Sequence, residues 1–472
     1  MTEIFFPQRE TLRLDSQCLT PRARRKVVFA GGTEKSHSVA AKSMGELAEW
    51  EMKPRKVAEL TTQAGEEMKE AQRARVEAFH QREAARPLTA PREVSSAAPE
   101  NLPQVGVVEM DGGRIHTRAE NSPRGVTDPH WREFQAGCVV RLQSDESTED
   151  PRPTIPGLFL NRPKVQKLVT QLHRQRHAPQ EESAEAESIG EMLAPEKLVE
   201  NAADAAKPAD PANAAASADV QPKSEQKPET KRTHPVRLMR TCVATQEGAD
   251  ACGRILAAEA AERGLDQASR KAFVADGQTC NWTVWERYFK RHGYLPIVDF
   301  IHLLSYVYAV AMALGRTADE GWQLHVKWIT AIWAGKGAEV LAEWKKLAEP
   351  LGIPPDKALP DNDPRRPIQR GLTYLENNLE RIDYPKYRRL GLPVTSTLME
   401  SLVKEFNLRV KGTEKFWNDP HGAEAILTVR AALLSEDGRF NEFFATRRGC
   451  VYRRRETQKR QQQAQAQPAT AP

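Results

Sequence analysis

Apolar positions recur at helical spacing near the start of the chain. In the segment SHSVAAKSMGELAEWEMKPRKVAEL, from Ser36, they lie three or four residues apart on both sides of Lys53 and Pro54. This period predicts two amphipathic helices joined by a short turn. The pair fits a helix-turn-helix whose second helix enters the major groove, with Lys53, Arg55 and Lys56 facing phosphates. A plain helical hairpin with solvated charges is the other interpretation.

Short apolar runs typical of strands begin at Val105 (VGVVEMDGGRIHTRAE), Cys138 (CVVRLQSDE) and Val236 (VRLMRTCVAT). In the first run, the Gly-Gly pair after Asp111 predicts the turn of a β-hairpin. A helical pattern from Ala249 then precedes a strand (AFVAD), a helix (WTVWERYFKRH) and another strand (LPIVDF). The order β-α-β predicts an α/β fold with a mixed sheet and helical crossovers.

The segment from Leu303 to Pro393 has the pattern of consecutive helices. It contains Trp322, Trp328, Trp333 and Trp344, which we expect to build a local core rather than to stack on bases. The segment TSTLMESLVKEFNLRVKG, from Thr395, begins with a capping threonine or serine and predicts a further helix. Glu400 lies in the first turns of that helix.

Charge is distributed unevenly along the chain. From Ala178 to Thr230 there are twelve acids, four lysines and no aromatic residue, whereas the whole chain carries a net charge of +5. Such a segment buries too little apolar surface to offset its ordering entropy, which predicts a disordered linker inserted at a loop. The rest of the chain is therefore decidedly basic, including an arginine-rich tail, and this favours a polyanionic partner.

Composition disfavours several protein classes. The six cysteines form no C-x-x-C pair, which argues against a zinc ribbon or a disulfide scaffold and fits a reducing cytoplasm. The start of the chain has no long apolar stretch of the kind found in secretory signals. The most apolar run, from Tyr294 to Gly315, is interrupted by Asp299 and His302 and falls short of the ~20 residues that cross a bilayer. We therefore expect no membrane span.

Three acids lie at or near the ends of predicted elements: Asp111 and Asp276 on strands, and Glu400 on a helix. If these elements converge on one sheet edge, the carboxylates suit two Mg²⁺ (or Mn²⁺) ions, because hard cations prefer oxygen ligands. Two such ions activate a nucleophile and stabilise the leaving oxygen of a phosphoryl displacement. Taken singly, each acid has an ordinary interpretation, as an Asp-Gly turn for the aspartates and as a solvated helix residue for Glu400.

Several segments carry a more specific signal when read together in order. They are DGGRIHTR at Asp111, GVTDPHWREFQAGCVVRLQS at Gly125, VADGQTCNW at Val274, VDFIHLL at Val298, and GLPVTSTLMESLVK followed by GAEAILTVRAALLS. From about Ile4 to Phe444 the chain resembles bacterial insertion-sequence transposases of the Kra group, which are related to Mutator-like enzymes. The resemblance implies a ribonuclease-H-like fold and a catalytic triad.

Mapped onto this chain, the triad is Asp111, Asp276 and Glu400. Asp299 and His302 correspond to the family signature of an acid or cysteine, two residues and a histidine, and would brace the site. A competing assignment makes Asp299 the second acid of the triad. An ordinary core role for His302 stays open, because one histidine beside one acid is weak evidence for a metal ligand.

The resemblance also implies an order of domains. These are an N-terminal helical DNA-binding region (residues 1–100), a catalytic domain in two parts (101–177 and 234–302) around the disordered linker (178–233), an α-helical insertion (303–393), C-terminal catalytic helices (394–446) and a basic disordered tail (447–472). Relatives commonly begin with a cysteine-rich zinc element, and this chain begins at EIFFPQ, where such an element would end. We expect either a truncated copy or a start that lies upstream.

The implied function is a DNA transposase that acts in the bacterial cytoplasm, at the nucleoid, as a homo-oligomer on paired DNA ends. Further residues expected to grip the DNA backbone are Arg114, Arg118, Lys404 and Arg409. Two other functions stay open: a transposase-derived DNA-binding protein that no longer cuts, and a ribonuclease-H-like nuclease that hydrolyses DNA without joining ends.

Overall fold

The computed structural model describes residues 11–15, 17–86, 104–117, 130–177, 235–354, 357–411, 417 and 420–447. The strands are β1 Val105–Thr117, β2 His130–Gln143, β3 Val236–Thr245, β4 Arg270–Ala275 and β5 Leu295–Val298. The described residues do not include the predicted linker (178–233) or the tail after residue 447. They also do not include residues 118–129, among which is Arg118.

The helices are α1 Pro21–Thr33, α2 His37–Ala48, α3 Pro54–Ala85, α4 Arg162–His177, α5 Ala249–Glu262, α6 Thr279–Val284, α7 Phe300–Leu314, α8 Ala318–Trp333, α9 Gly337–Ala348, α10 Arg366–Asn378, α11 Tyr384–Arg389, α12 Thr397–Val410, α13 Pro420–Leu434 and α14 Arg439–Thr446. A π-helical turn, Trp285–Phe289, extends α6. Among the described helices, none has the length and apolar character to cross a membrane.

The five strands form one mixed sheet in the order β3-β2-β1-β4-β5. β2 runs antiparallel to β1 and to β3, whereas β4 runs parallel to β1 and to β5. The predicted α/β class with a mixed sheet is therefore confirmed. The parallel connections from β3 to β4 and from β4 to β5 contain α5 and α6, as crossovers between parallel strands require.

Helices cover both faces of this sheet. Gly137, which pairs with Met110, approaches the side chain of Leu256 on α5 so closely that an added Cβ would lie 2.7 Å from it. Glu109, which directly precedes Met110 on β1, faces the opposite side of the sheet. There its carboxyl group accepts a hydrogen bond from the Met399 backbone of α12. The sheet is therefore a buried middle layer, which explains the long apolar runs in β1 and β4.

The predicted turn at Gly112 and Gly113 is wrong. β1 runs through both glycines to Thr117, and each pairs with a residue of β2. A Cβ on Gly113 would lie 2.4 Å from the ring of Phe134, its partner on β2, so this glycine makes room for a cross-strand aromatic ring. β1 and β2 do form a hairpin, but its connection lies outside the described residues.

The predicted N-terminal helix pair corresponds to α2 and α3. Ser36 caps α2 through a bond from Val39 N to its hydroxyl, and Pro54 occupies the first turn of α3. α3 is 32 residues long and packs against α13. These helices share a hydrophobic cluster with the C-terminal ones, formed by Val28, Ala64, Val429, Ala432, Phe440 and Phe444. The N-terminal helices are therefore part of the main body.

Helices α7 to α11 lie between β5 and α12, in the segment where consecutive helices were predicted. Trp328 and Trp344 are fully buried there and meet edge to face, with ring centroids 5.5 Å apart. Trp333 is also buried, and Trp322 packs at the margin of the same core. The prediction that these rings build a local core is confirmed.

Candidate active site

Three aspartates stand in a row at one edge of the sheet. The parallel pairing of β1 and β4 ends at Met110 and Ala275, so the residues that follow, Asp111 and Asp276, are neighbours. Ala275 is also the last β4 residue paired with β5, and Asp299 follows β5 directly. The edge where parallel strands end is where α/β sheets commonly bind ligands.

A cleft of about 230 Å³ opens at this edge. Asp111, Asp276 and His302 line it together with Arg114, Glu133 and Gln278. The fold therefore brings together two of the three predicted triad acids, although they lie far apart in the chain. Glu400 is on α12, close to the edge through its neighbour Met399, but its side chain lies outside the described residues.

The carboxylate of Asp276 is buried and held by amide donors. Its Oδ1 accepts hydrogen bonds from Gln278 N (3.1 Å) and Asn281 Nδ2 (2.8 Å), and its Oδ2 accepts one from Gln278 Nε2 (2.8 Å). The hydroxyl of Tyr374, on α10, donates to the Asp276 carbonyl oxygen at 2.9 Å. These bonds limit the rotation of the carboxylate, as the partners around a metal ligand typically do. Gln278 and Asn281 were not among the predicted site residues, although both lie in the segment DGQTCNW.

Asp111 is half-buried at the mouth of the cleft, where its Oδ1 accepts a hydrogen bond from Gly112 N at 2.7 Å. On the same stretch of β1, Arg114 forms an ion pair with Glu133 of β2 at 3.1 Å. Both of these side chains are more than half exposed, and such pairs contribute about 0–1 kcal/mol. A phosphate group can therefore compete with Glu133 for the guanidinium of Arg114.

Asp299 is fully buried, and hydrogen bonds engage both of its carboxylate oxygens. Oδ1 accepts from Ile301 N (3.2 Å) and Ser396 N (3.0 Å), while Oδ2 accepts from His302 N (3.3 Å) and lies 2.6 Å from His302 Nδ1. Burial raises the pKa of Asp299, but the hydrogen bonds, chiefly from His302, outweigh burial and hold this pKa below its usual range. Asp299 therefore caps α7 and orients His302. This placement favours Asp276 over Asp299 as the second acid of the predicted triad.

A fourth acid at this edge, Glu109, was missed by the sequence analysis. It is buried two residues before Asp111, on the same face of β1. Burial, together with the negative charge of Asp299, raises the pKa of Glu109 to about 8. Glu109 binds the backbone of Met399, and Asp299 binds that of Ser396, so both acids attach the start of α12 to the sheet. The signal in the sequence is an acid inside the apolar run VGVVEMD.

The donor set at the cleft fits a hard divalent cation. Asp111 and Asp276 provide carboxylate oxygens, the ligands that Mg²⁺ prefers, and Mg²⁺ is commonly held by one or two carboxylates together with waters and substrate phosphates. Among the residues described, no group of three or more His, Cys, Asp or Glu side chains is arranged to hold a metal ion. Asp111 and Asp276 are the described carboxylates of the cleft that were predicted to hold such an ion.

The candidate DNA-binding residues fall in different environments. Lys53 and Arg55 are exposed at the start of α3, while Lys56 pairs with Glu59 and Lys404 is half-buried. The prediction for Arg409 is wrong. Its side chain is 2% exposed, where Nε donates to the Gly31 carbonyl oxygen (2.8 Å) and Nη2 lies 2.8 Å from His37 Nε2.

Arg409 therefore attaches α12 to the N-terminal helices instead of facing solvent. Burial, with a contribution from the charge of Arg430, lowers its pKa to about 10. A guanidinium in this position cannot reach a DNA backbone unless α12 separates from the N-terminal helices.

Comparison of the chain with protein-family models, with curated proteins and with solved structures gave no match.

Proposed function

We propose that this chain is a DDE-type DNA transposase with a ribonuclease-H-like catalytic core. The observation that carries the proposal is that Asp111 and Asp276 line one cleft, each directly after the last residue of the parallel pairing between β1 and β4. Further support comes from the strand order β3-β2-β1-β4-β5 with β2 alone reversed, which agrees with the implied fold. The helical segment between β5 and α12 also agrees with the implied insertion.

In this proposal Asp111, Asp276 and Glu400 are the metal-binding acids. Mg²⁺ or Mn²⁺ bound there supplies activation of an attacking oxygen and neutralisation of charge on the phosphate. Gln278 and Asn281 keep the carboxylate of Asp276 in one orientation. The entropy cost of ordering this carboxylate therefore arises when the chain folds and not in each catalytic cycle.

The same cleft serves two displacements in sequence. In the first, a water oxygen attacks the phosphorus at the transposon end, the P–O bond breaks, and the leaving 3′-oxygen takes up a proton. In the second, that 3′-hydroxyl loses its proton and attacks a phosphorus of the target DNA. The target's own P–O3′ bond breaks, its 3′-oxygen takes up a proton, and the transposon end is joined to the target strand. Because the two reactions have the same chemistry, one set of acids suffices for both.

Mg²⁺-dependent nicking of supercoiled plasmid DNA tests the proposal. We expect Asp276→Asn and Asp111→Asn to reduce nicking by at least about a hundredfold, since loss of even a partner of a metal ligand costs 10–100-fold. Asp319→Asn is the matched control, because Asp319 is 84% exposed on α8 and pairs with Arg162 outside the cleft. Unchanged nicking by Asp276→Asn would refute the site assignment.

A second measurement separates the transposase from the two other functions. Purified protein is incubated with duplex ends taken from the DNA that flanks its gene and with a plasmid target. Joining of the 3′-hydroxyl ends to the plasmid supports the transposase, and hydrolysis without joining indicates a nuclease. DNA binding without any cleavage indicates a transposase-derived DNA-binding protein.

A further inference from the structure

A second and larger cleft, of about 680 Å³, adjoins the cleft of acids. The two clefts meet at the loop after β4, where Asp276 and Gln278 line the first cleft and Gly277, between them, lines the second. Gly277 has φ +87°, and a Cβ there would lie 2.6 Å from the ring of Tyr374. This glycine is needed for both the turn and the close approach of α10. The loop of residues 276–278 is therefore a border shared by the two clefts.

One face of α10 forms a wall of the second cleft. Arg366, Arg370, Thr373 and Asn377 line it and are spaced by four, three and four residues, which places them on a single side of the helix. These positions extend about 16 Å along the helix axis at 1.5 Å per residue. This length matches roughly five nucleotide steps of a stacked strand, at about 3.4 Å per step.

The cleft is positively charged. Among the described residues that line it, four are cations, Lys357, Arg366, Arg370 and Arg381, and one is a carboxylate, Glu286. Arg366 also has an ion pair with Asp361 at 3.5 Å, but Asp361 is 90% exposed. For Arg370, which is exposed, the described part of the chain provides neither an ion pair nor a hydrogen bond to its guanidinium. Such a wall attracts a polyanion.

The described aromatic rings of the cleft are engaged with one another or with a cation. Tyr306 and Tyr374 stack with ring centroids 3.8 Å apart, and Trp282 is covered by the guanidinium of Arg381, 4.6 Å above its ring. Arg381 is in turn held by the Asn377 carbonyl oxygen (2.7 Å) and by Asn378 Oδ1 (3.2 Å). The cleft thus offers positioned cations in place of base-stacking platforms, which favours contact with phosphates over contact with bases.

We propose that this cleft binds the sugar-phosphate backbone of the DNA strand that continues away from the phosphate held at Asp111 and Asp276. The inference rests on the proposed function, and in it a strand placed at the acids leaves them past Gly277. It assigns to α10 a sequence-independent grip on the DNA. The residues that provide this grip are Lys357, Arg366, Arg370 and Arg381.

A binding titration tests the inference. Fluorescence anisotropy measures how tightly the full chain binds a labelled DNA duplex, in EDTA and at several salt concentrations. We expect Arg370→Glu to weaken binding by about threefold or more and to reduce the slope of log K against log salt by about one. Arg316→Glu is the matched control, because Arg316 is 89% exposed in the connection between α7 and α8 and does not line the cleft. Circular dichroism melts establish that both variants are folded.

The outcomes separate this inference from the proposed function, because binding in EDTA requires no cleavage. If the chain nicks DNA but Arg370→Glu binds DNA like Arg316→Glu, the cleft assignment is overturned and the proposed function stands. If the chain never cuts but Arg370→Glu selectively loses binding, the cleft assignment stands and the transposase proposal fails. Binding of poly-glutamate that depends on Arg370, with DNA binding that does not, would assign the cleft to an acidic protein segment and overturn the proposal.

Discussion

Asp276 and Asp299 follow neighbouring strands, yet their side chains end in different surroundings. Asp276 precedes Gly277, whose positive φ turns the chain and leaves the carboxylate at the cleft beside Gln278 and Asn281. Asp299 immediately precedes α7, whose first N–H groups draw its carboxylate into the interior. The structure that follows each aspartate therefore decides its role. The first N–H groups of a helix have no partner inside the helix, and the acid just before it accepts their hydrogen bonds.

We predict that Asp299→Ala lowers the free energy of unfolding by about 3–5 kcal/mol, because it removes the buried carboxylate that binds His302 Nδ1 and the backbone N–H of Ser396. Equilibrium unfolding in urea measures this change. Asp319→Ala, at an exposed position on α8, should change stability by less than about 1 kcal/mol. Equal losses in the two variants would contradict the role given to Asp299.

The same residue predicts a dependence of stability on pH. The folded state holds the pKa of Asp299 below the value of about 3.9 typical of an unfolded chain, so the unfolded state binds the proton more readily. The stabilisation from Asp299 is therefore complete above about pH 4 and is lost as the pH falls through the folded pKa. Asp299→Asn should reduce the slope of unfolding free energy against pH below about pH 4.

At the scale of elements, close contacts between helices decide which glycines can be replaced. Gly65 lies on α3 where this helix crosses α13, and a Cβ there would lie 2.2 Å from the Ala425 carbonyl oxygen. Gly45 lies on α2, where the nearest atom to an added Cβ is the flexible carboxylate of Glu51 at 3.4 Å. Both glycines are inside helices, so helix propensity alone favours alanine at both by about 1 kcal/mol.

We predict that the two alanine variants change stability in opposite directions. Gly45→Ala should raise the free energy of unfolding by about 0.5–1 kcal/mol. Gly65→Ala should lower it by about 1–3 kcal/mol, because the backbone of α13 cannot move as a side chain can. Thermal unfolding of both variants in the same buffer measures the difference. Stabilisation by Gly65→Ala would mean that α3 and α13 are not in this contact.

At the scale of the whole molecule, the two ends of the chain stabilise each other. Val28 and Ala64 from the N-terminal helices share a cluster with Phe440 and Phe444 from α14. Arg447 adds an ion pair with Glu67 of α3 at 2.7 Å, and Arg409 binds the Gly31 carbonyl oxygen. The helices of the predicted N-terminal DNA-binding region therefore share buried contacts with the C-terminal helices.

We predict that Phe440→Ala, which empties part of this cluster, destabilises the chain by about 3–5 kcal/mol and raises amide hydrogen exchange in α1 and α3 as well as in α14. Leu408→Ala is the control, because Leu408 is about half exposed and belongs to none of the buried clusters described. A rise in exchange confined to α14 would show that the N-terminal helices fold independently.

Local patterns were sufficient to predict the strands β3, β4 and β5, the α2–α3 pair, the helical segment after β5 and the α/β class, because periodicity reports which side of an element is buried. The same patterns predicted a turn at Gly112 and Gly113, where the pairing of β1 with β2 overrode the local preference of glycine. They also placed Arg409 at a DNA surface, since charge alone does not reveal burial.

By itself, the sequence determined the kinds of element and their order. It also placed the acids Asp111, Asp276 and Asp299 in predicted strands. Only the tertiary structure decided which acids share a cleft, which one is buried as a cap, and that Gly277 joins the acids to the basic face of α10. The physical reason is that element type depends on nearest neighbours along the chain, whereas the environment of a carboxylate depends on parallel pairing and helix packing between residues more than a hundred positions apart.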